Sequence, residues 1–190
     1  MPGYYLHTIN ARQALEAITN GLSCVRLSID LNFSERDFSL SDQGLVLDED
    51  NRLSIDELKK IIKKTQRIYL CRDGNMVPLE DRSSGYYKLV PTAGAPLLEI
   101  SGVKMHISKG TDPFVSASEM AQQVVRRGDK VLDCCGGLGY AAIAAHRLGA
   151  SEVLSIELSQ EVMGLRAKNP WSNDLRQEGI VQRQGSSFEL

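Results

Sequence analysis

The sequence predicts an α/β fold, with a β-rich N-terminal domain over residues 1–107 and an α/β domain over residues 108–190. In the first part, short runs of alternating apolar and polar residues are separated by turn signals such as Asp73-Gly74. In the second part, strand-like and helix-like patterns alternate, which indicates a parallel sheet covered by helices on both faces. The chain has 190 residues, of which 42% are hydrophobic, and a net charge of −2. This composition is typical of a globular protein and offers no broad basic surface for nucleic acid.

In the N-terminal domain, most of the predicted elements are strands. A helix is expected over 10–19, and Ser54-Ile55-Asp56-Glu57 is a capping box that begins a second helix. Alternation of apolar and polar side chains predicts strands at 24–31, 36–40, 44–47, 67–71, 75–80, 86–90, 97–100 and 103–107.

The C-terminal domain is predicted to begin with a helix that has Asp112 as its N-cap and Pro113 at its first position. Asn169-Pro170-Trp171 is interpreted as a turn that ends a later helix, because a residue before proline disfavours helical geometry. The further elements expected in order are strand 130–134, helix 138–148, strand 152–157, helix 159–168 and strand 179–184.

A glycine-rich turn and an acidic residue form the most informative pattern of the chain. The first strand ends at Asp133, Gly137 and Gly139 follow, and Glu157 ends the next strand. Glycines allow close approach to a ligand at a helix N-terminus, and a carboxylate at the second strand can accept both ribose hydroxyls. Residues 137–142 also fit the dinucleotide fingerprint of NAD proteins. Asp133 favours a cationic amino-acid group over a pyrophosphate.

The run Val131–Tyr140 resembles motif I of class I S-adenosylmethionine-dependent methyltransferases, and Ile156-Glu157 resembles the acidic end of their second strand. The longer string Val131–Trp171 is most similar to a set of predicted archaeal methyltransferases. The resemblance implies a Rossmann-like sheet, with Asp133 and 135–139 holding the methionine part of the cofactor and Glu157 its ribose. The cofactor-binding residues that it implies are Asp133, Cys135, Gly136, Gly137, Leu138, Gly139, Tyr140, Glu157, Leu158 and Ser186.

The chain departs from the pattern of that family in three respects. Cys135 stands where the wider family commonly has glycine, and Ser186 where an acid usually takes the adenine amino group. The fourth and later strands of the family have no counterpart, so a truncated methyltransferase core is expected. Strand 130–134 would then be a hydrophobic edge. We expect the N-terminal domain or a second copy to supply its neighbour, or the chain to be a truncated product. A homo-oligomer is therefore expected if the 190 residues are the whole chain.

Two polar residues ahead of the first C-terminal helix are candidates for a lid over the cofactor or substrate. They are Lys109 and Asp112. An equally good interpretation is that this stretch is only a domain linker followed by a helix cap. Four cysteines occur without a paired histidine or a C-x-x-C spacing, so no metal site is predicted. No catalytic base is identifiable from the sequence.

The function expected from the resemblance is that of an S-adenosylmethionine-dependent methyltransferase, or a fragment of one, whose acceptor is a small molecule, RNA or protein. The alternative is a non-catalytic module that binds a partner or RNA and carries a remnant half-Rossmann domain. An NAD-dependent enzyme is a more distant third interpretation. The sequence shows neither a signal peptide nor a long apolar stretch, so a cytoplasmic protein without membrane association is expected.

Overall fold

The structure is a computed structural model that describes residues 3–189. By its internal contacts the chain divides into two compact units. The first comprises the residues up to Leu79 together with Leu89–Pro91, and the second comprises Glu80–Lys88 together with the residues from Thr92 onward. The domain division at residue 107 stays a prediction.

The first unit combines two antiparallel sheets with two helices. One sheet has the strand order β2-β3-β4-β5 and the other has the order β1-β6-β7. The elements are β1 (Tyr4–Leu6), α1 (Thr8–Thr19), β2 (Cys24–Leu27), β3 (Arg36–Ser41), β4 (Gly44–Val46), β5 (Arg52–Ser54), α2 (Ile55–Ile62), β6 (Tyr69–Arg72) and β7 (Asn75–Pro78).

The core of the first unit forms where the apolar faces of α1 and α2 meet the inward side chains of the sheets. Leu6, Leu58 and Ile61 are completely buried in this cluster. The predicted capping box begins α2, because Ser54 N donates to Glu57 Oε2 at 2.8 Å and Glu57 N donates to Ser54 Oγ at 3.3 Å.

The second unit contains a parallel sheet and most of a small antiparallel sheet, one of whose strands, Tyr87–Val90, ends in residues assigned to the first unit. Strands β8 (Glu80–Asp81), β9 (Tyr87–Val90), β10 (Leu97–Ile100) and β11 (Val103–Lys104) lie in the order β11-β10-β9-β8. Within it, Lys88 Nζ lies 2.9 Å from Glu99 Oε1, and both side chains are only 9% exposed. A buried pair of this kind is stable only while both charges remain, since either alone would be an uncompensated buried ion.

The parallel sheet has three strands in the order β12-β13-β14, with Val131 opposite Val153 and Val153 opposite Ile180. Strands and helices alternate along the chain, which confirms the predicted α/β class with a β-rich N-terminal part. The elements are α3 (Pro113–Val124), β12 (Lys130–Asp133), α4 (Tyr140–Arg147), β13 (Glu152–Glu157), α5 (Gln160–Ala167), a 3₁₀ helix (Pro170–Arg176), β14 (Ile180–Gln184) and a final 3₁₀ turn (Ser187–Glu189).

The predicted element bounds differ from the observed ones mainly where the backbone turns. The strand predicted over 24–31 ends at Leu27, because Leu31 and Asn32 adopt positive φ values of 62° and 66° in a turn. The strand predicted over 103–107 is confined to Val103–Lys104. Two short strands, β1 and β5, were not predicted.

Strand β12 forms one edge of the parallel sheet. Among residues 3–189, no strand pairs with its outer side. Leu132 on this strand is 47% exposed, and Val124 at the end of α3 is 74% exposed. These side chains border a groove of about 190 Å³ beside the strand. The edge position of β12 is as expected from the sequence, and the strand's neighbour remains a prediction.

Candidate functional site

The loop between β12 and α4 turns sharply at its glycines. Gly137 and Gly139 have φ values of 49° and 82°, a region that L-residues with side chains rarely adopt. Gly139 N donates to Gly136 O at 2.6 Å, and Gly136 N donates to Ile156 O of β13 at 2.7 Å. The loop is therefore held against the carboxyl end of the neighbouring strand, immediately before α4 begins.

Two of these glycines are also required by close packing. A Cβ atom at Gly136 would lie 2.3 Å from Arg166 Nη2 and 2.4 Å from Ser155 Oγ. A Cβ atom at Gly139 would lie 2.3 Å from a methyl carbon of Leu175. By contrast, a Cβ atom at Gly137 would meet nothing closer than Cys135 O at 3.8 Å, so this position faces open space. The loop thus presents its backbone at Gly137, where a ligand could approach.

Glu157 ends β13 and binds the glycine loop directly. Its Oε2 accepts a hydrogen bond from Gly137 N at 2.8 Å, and its Oε1 accepts one from Ser159 N at 2.9 Å. Each carboxylate oxygen has a second lone pair and can accept a further hydrogen bond. The structure therefore brings the glycine loop and the acid at the end of the second strand into direct contact. Their role in holding a cofactor stays a prediction.

Asp133 lies at the end of β12, where its Oδ2 accepts a hydrogen bond from Ser155 Oγ at 3.0 Å. Burial raises the pKa of Asp133, while the bond from Ser155 and the charge of Arg166 act in the opposite direction. The side chain borders the groove beside β12. That groove shares Ala117, Met120 and Ala141 with the larger cleft described below.

Arg166 of α5 is a site residue that the sequence reasoning missed. Its side chain is 2% exposed, and its Nε donates to Gly137 O at 2.6 Å. Nη2 is buried without an acceptor among the described residues. Burial lowers the pKa of Arg166, and the carboxylates of Glu157 and Asp133 oppose that shift. Arg166 therefore supplies positive charge beneath a loop that lies between two acids.

A cleft of about 390 Å³ opens in front of the loop. One wall is apolar and comes from β10, α3 and the segment after β11, and the other comes from the glycine loop, α4 and the end of β13. The apolar wall comprises Leu98, Ile100, Met105, His106, Ala117 and Met120. The other lining residues are Cys135, Gly136, Gly137, Tyr140, Ala141, Glu157 and Val162. Such a combination of apolar walls and a few polar groups is typical of ligand sites.

Tyr140 links the residues that line this cleft to the surrounding core. Its hydroxyl donates to Pro96 O at 2.8 Å and accepts from Asn169 Nδ2 at 2.9 Å. Its ring lies 5.2 Å from that of His106 and 5.5 Å from that of Phe114, measured between centroids. Burial raises the pKa of the Tyr140 hydroxyl. Because both hydrogen-bonding functions are occupied within the protein, this hydroxyl holds the wall in place.

The structure brings five of the predicted cofactor residues to the cleft wall, namely Cys135, Gly136, Gly137, Tyr140 and Glu157. The others lie elsewhere. Leu138 is fully buried, and Gly139 packs against Leu175. Leu158 is 71% exposed, and Ser186 Oγ accepts from Phe188 N at 3.2 Å.

The two lid candidates also lie outside the cleft wall. Lys109 is exposed. Asp112 caps α3, because its Oδ1 accepts from Phe114 N at 2.8 Å and its Oδ2 accepts from Ala95 N at 2.6 Å. The helix-cap interpretation of Asp112 therefore has direct support, while a ligand role for either residue stays a prediction.

Over the described range 3–189, no three His, Cys, Asp or Glu side chains come close enough together to hold a metal ion. In the same range, no helix combines the length and apolar character that a membrane span requires.

Comparison with known proteins gives one relative of substantial identity. No family model matches the chain. The uncharacterized protein MJ1233 of Methanocaldococcus jannaschii is 34% identical over 194 residues, which cover 97% of this chain and 65% of that protein. The chain thus spans slightly less than two thirds of the length of this relative.

Among solved structures, the similar ones include a tRNA methyltransferase and TYW2. The tRNA m1G37 methyltransferase of M. jannaschii is 18% identical, with a TM-score of 0.37 over 61% of this chain and 35% of that one. Pyrococcus horikoshii TYW2 in complex with MeSAdo is 14% identical, with a TM-score of 0.40 over 72% of this chain and 48% of that one.

Proposed function

We propose that this chain binds S-adenosylmethionine and belongs to a methyltransferase. The observation that carries the proposal is the bond between Gly137 N and the Glu157 carboxylate. This bond places an acid beside a glycine that lines the cleft, at the carboxyl ends of adjacent parallel strands. In open α/β sheets, that edge is where nucleotide ligands bind.

The charges of the site fit an adenosyl sulfonium better than a dinucleotide. Glu157 keeps a free lone pair on each oxygen, so the two neighbouring hydroxyls of a ribose can each donate to it. Asp133 adds a second carboxylate near the same loop, which suits an ammonium or sulfonium cation. No lysine or arginine lines the cleft to neutralise a pyrophosphate. An NAD-binding role is less well supported for that reason.

The residues of this chain would bind the ligand and orient it for methyl transfer. When bound, S-adenosylmethionine would supply a methyl group on a positively charged sulfur, and its transfer to an acceptor would release S-adenosylhomocysteine. The glycine loop, Glu157 and the apolar wall would fix the adenosyl part and exclude water. Alignment of two reactants can contribute roughly 7–11 kcal/mol to a barrier reduction. No residue of the described chain is assigned as a general base, and the acceptor is a small molecule, RNA or protein.

The proposal concerns cofactor binding by the described residues, because the chain spans 65% of its relative. The lid role of Lys109, the adenine contact by Ser186 and the cytoplasmic location are part of the same proposal. The first two follow from the resemblance stated above, and the location follows from the sequence, which shows neither a signal peptide nor a long apolar stretch. The proposed homo-oligomer, in which a second copy covers β12, is a separate question of assembly.

Calorimetric titration of S-adenosylhomocysteine into the 190-residue chain tests the proposal. We expect micromolar binding, its loss in Glu157→Ala, and no change in Glu152→Ala. Glu152 is a suitable control because it lies on the same strand, and its side chain is 65% exposed in an ion pair with Lys130. A folded wild-type protein that binds no S-adenosylhomocysteine would contradict the proposal.

A further inference from the structure

His106 stands out in the cleft wall because its ring is held by the protein on one side only. It lies between β11 and α3, and its ring stacks at a tilt of 48° on that of Tyr140. Its Nδ1 accepts a hydrogen bond from the backbone N–H of Leu98 at 3.1 Å. Over residues 3–189, this is the only hydrogen bond recorded for the His106 ring.

The bond from Leu98 fixes the tautomer of the ring. Burial lowers the pKa of His106 to about 4, so the imidazole is neutral at neutral pH. A neutral imidazole carries one proton, and Nδ1 must keep its lone pair to accept from Leu98 N–H. The proton therefore resides on Nε2. With Nδ1 engaged and Nε2 protonated, His106 can donate a hydrogen bond but cannot take a proton from a substrate.

The remaining residues of the cleft wall offer no equivalent side chain. Lysine and arginine are absent from it. The Tyr140 hydroxyl already donates to Pro96 O. The thiol of Cys135 is a weak donor. Among the residues that line the cleft, His106 is consequently the one whose side chain carries an N–H donor.

We propose that His106 is a specificity-determining residue whose Nε2–H donates to an acceptor atom of the adenosyl ligand. The inference rests on the proposed function and adds one hydrogen bond to it, in which the protein is the donor and the ligand the acceptor. Glu157 accepts from the ligand and His106 donates to it, so the cleft selects a molecule with hydroxyls at one end and an acceptor at the other. A ligand without that acceptor leaves the N–H unpaired, which reduces affinity.

Two substitutions distinguish donation to the ligand by Nε2–H from the hydrogen bond that Nδ1 accepts from Leu98 N–H. His106→Asn keeps an acceptor near the position of Nδ1 and removes the donor at Nε2. His106→Gln places an amide N–H near the position of Nε2. We expect His106→Asn to weaken binding of S-adenosylhomocysteine by about tenfold, and His106→Gln to restore most of the affinity. Circular dichroism and thermal melting check that both variants fold.

Methylthioadenosine, which lacks the amino-acid part, identifies the acceptor. If His106→Asn loses affinity for S-adenosylhomocysteine alone, the proposal is supported and the acceptor is the carboxylate of the ligand. If the variant loses affinity equally for both probes, the proposal is supported and the acceptor lies in the adenosine part. Wild-type affinity in His106→Asn, or a His106→Gln protein as weak as His106→Asn, would overturn it. If the folded wild-type protein binds neither probe, the proposed function is wrong, and the role of His106 proposed for that ligand is wrong with it.

Discussion

The backbone N–H of Gly137 donates to the carboxylate of Glu157 at 2.8 Å, across twenty residues of sequence. Through this bond the turn that follows β12 is attached to the end of β13. Arg166 holds the same glycine from the other side, through its carbonyl oxygen. The N–H and the carbonyl oxygen of Gly137 are thus both hydrogen-bonded to charged side chains. These bonds fix the shape of the loop before any ligand binds.

Gly136→Ala tests how tightly this loop is packed. The added Cβ would lie 2.3 Å from Arg166 Nη2, so we expect the free energy of unfolding of the second unit to fall by about 1–3 kcal/mol. Gly164→Ala is the matched control, because a Cβ there meets nothing within 4 Å and the residue lies inside α5. That control should be neutral or stabilise by up to about 1 kcal/mol. Urea denaturation of both variants measures the difference, and an equal effect would refute the packing argument.

Arg166→Met tests the buried positive charge beneath the loop. The change removes the donor to Gly137 O and the charge that offsets Asp133 and Glu157, so we expect a loss of about 2–3 kcal/mol of stability. The control is Arg183→Met on the exposed face of β14, which should change stability by less than about 0.5 kcal/mol. Chemical denaturation at pH 7 gives both values. Stability unchanged in Arg166→Met would show that Arg166 does not support the site.

Much of the parallel part of the fold could be predicted because its signals are local. The bounds of β13 agree with the prediction, and the caps at Ser54 and Asp112 form as expected. Strand β1 was missed because its three residues become a strand only by pairing with β6, more than sixty residues later. Short strands that depend on such distant partners carry little local pattern.

The candidate site was predicted in part for the same reason. Gly137 and Glu157 follow a sequence pattern, whereas Arg166 becomes a site residue only when β12, β13 and α5 come together. One signal was available: Arg166 lies four positions after the buried Val162 and next to the buried Leu165, on the inward face of its helix. A charged residue on such a face requires partners when buried, and these were not visible in the sequence.

His7 gives a pH dependence to the stability of the first unit. Its ring is 1% exposed, neither ring nitrogen has a hydrogen-bond partner among the residues that the structure describes, and burial lowers its pKa from 6.5 to about 4. The unfolded chain therefore takes up a proton below pH 6.5, while the folded chain does so only near pH 4. This contribution is fully present above pH 6.5 and is lost as the pH falls towards 4, by about 3 kcal/mol in total.

His7→Leu should remove that dependence. Urea denaturation of wild type and variant between pH 4.5 and 7.5 isolates the contribution of His7 from those of the carboxylates, which both proteins share. We expect the variant to lose less stability than the wild type as the pH falls. Parallel curves for the two proteins would mean that His7 is not held neutral in the folded state.

The most direct measurement of the central claim is an NMR titration of the backbone amides with S-adenosylhomocysteine. The account predicts saturable shifts of the Gly136, Gly137 and Gly139 amide signals together with Glu157, because the ligand lies against the loop. The signals of Gly21 and Gly74, in turns of the first unit, should not move. Saturable shifts confined to other residues, or none in a folded protein, would contradict the assignment of this cleft as the cofactor site.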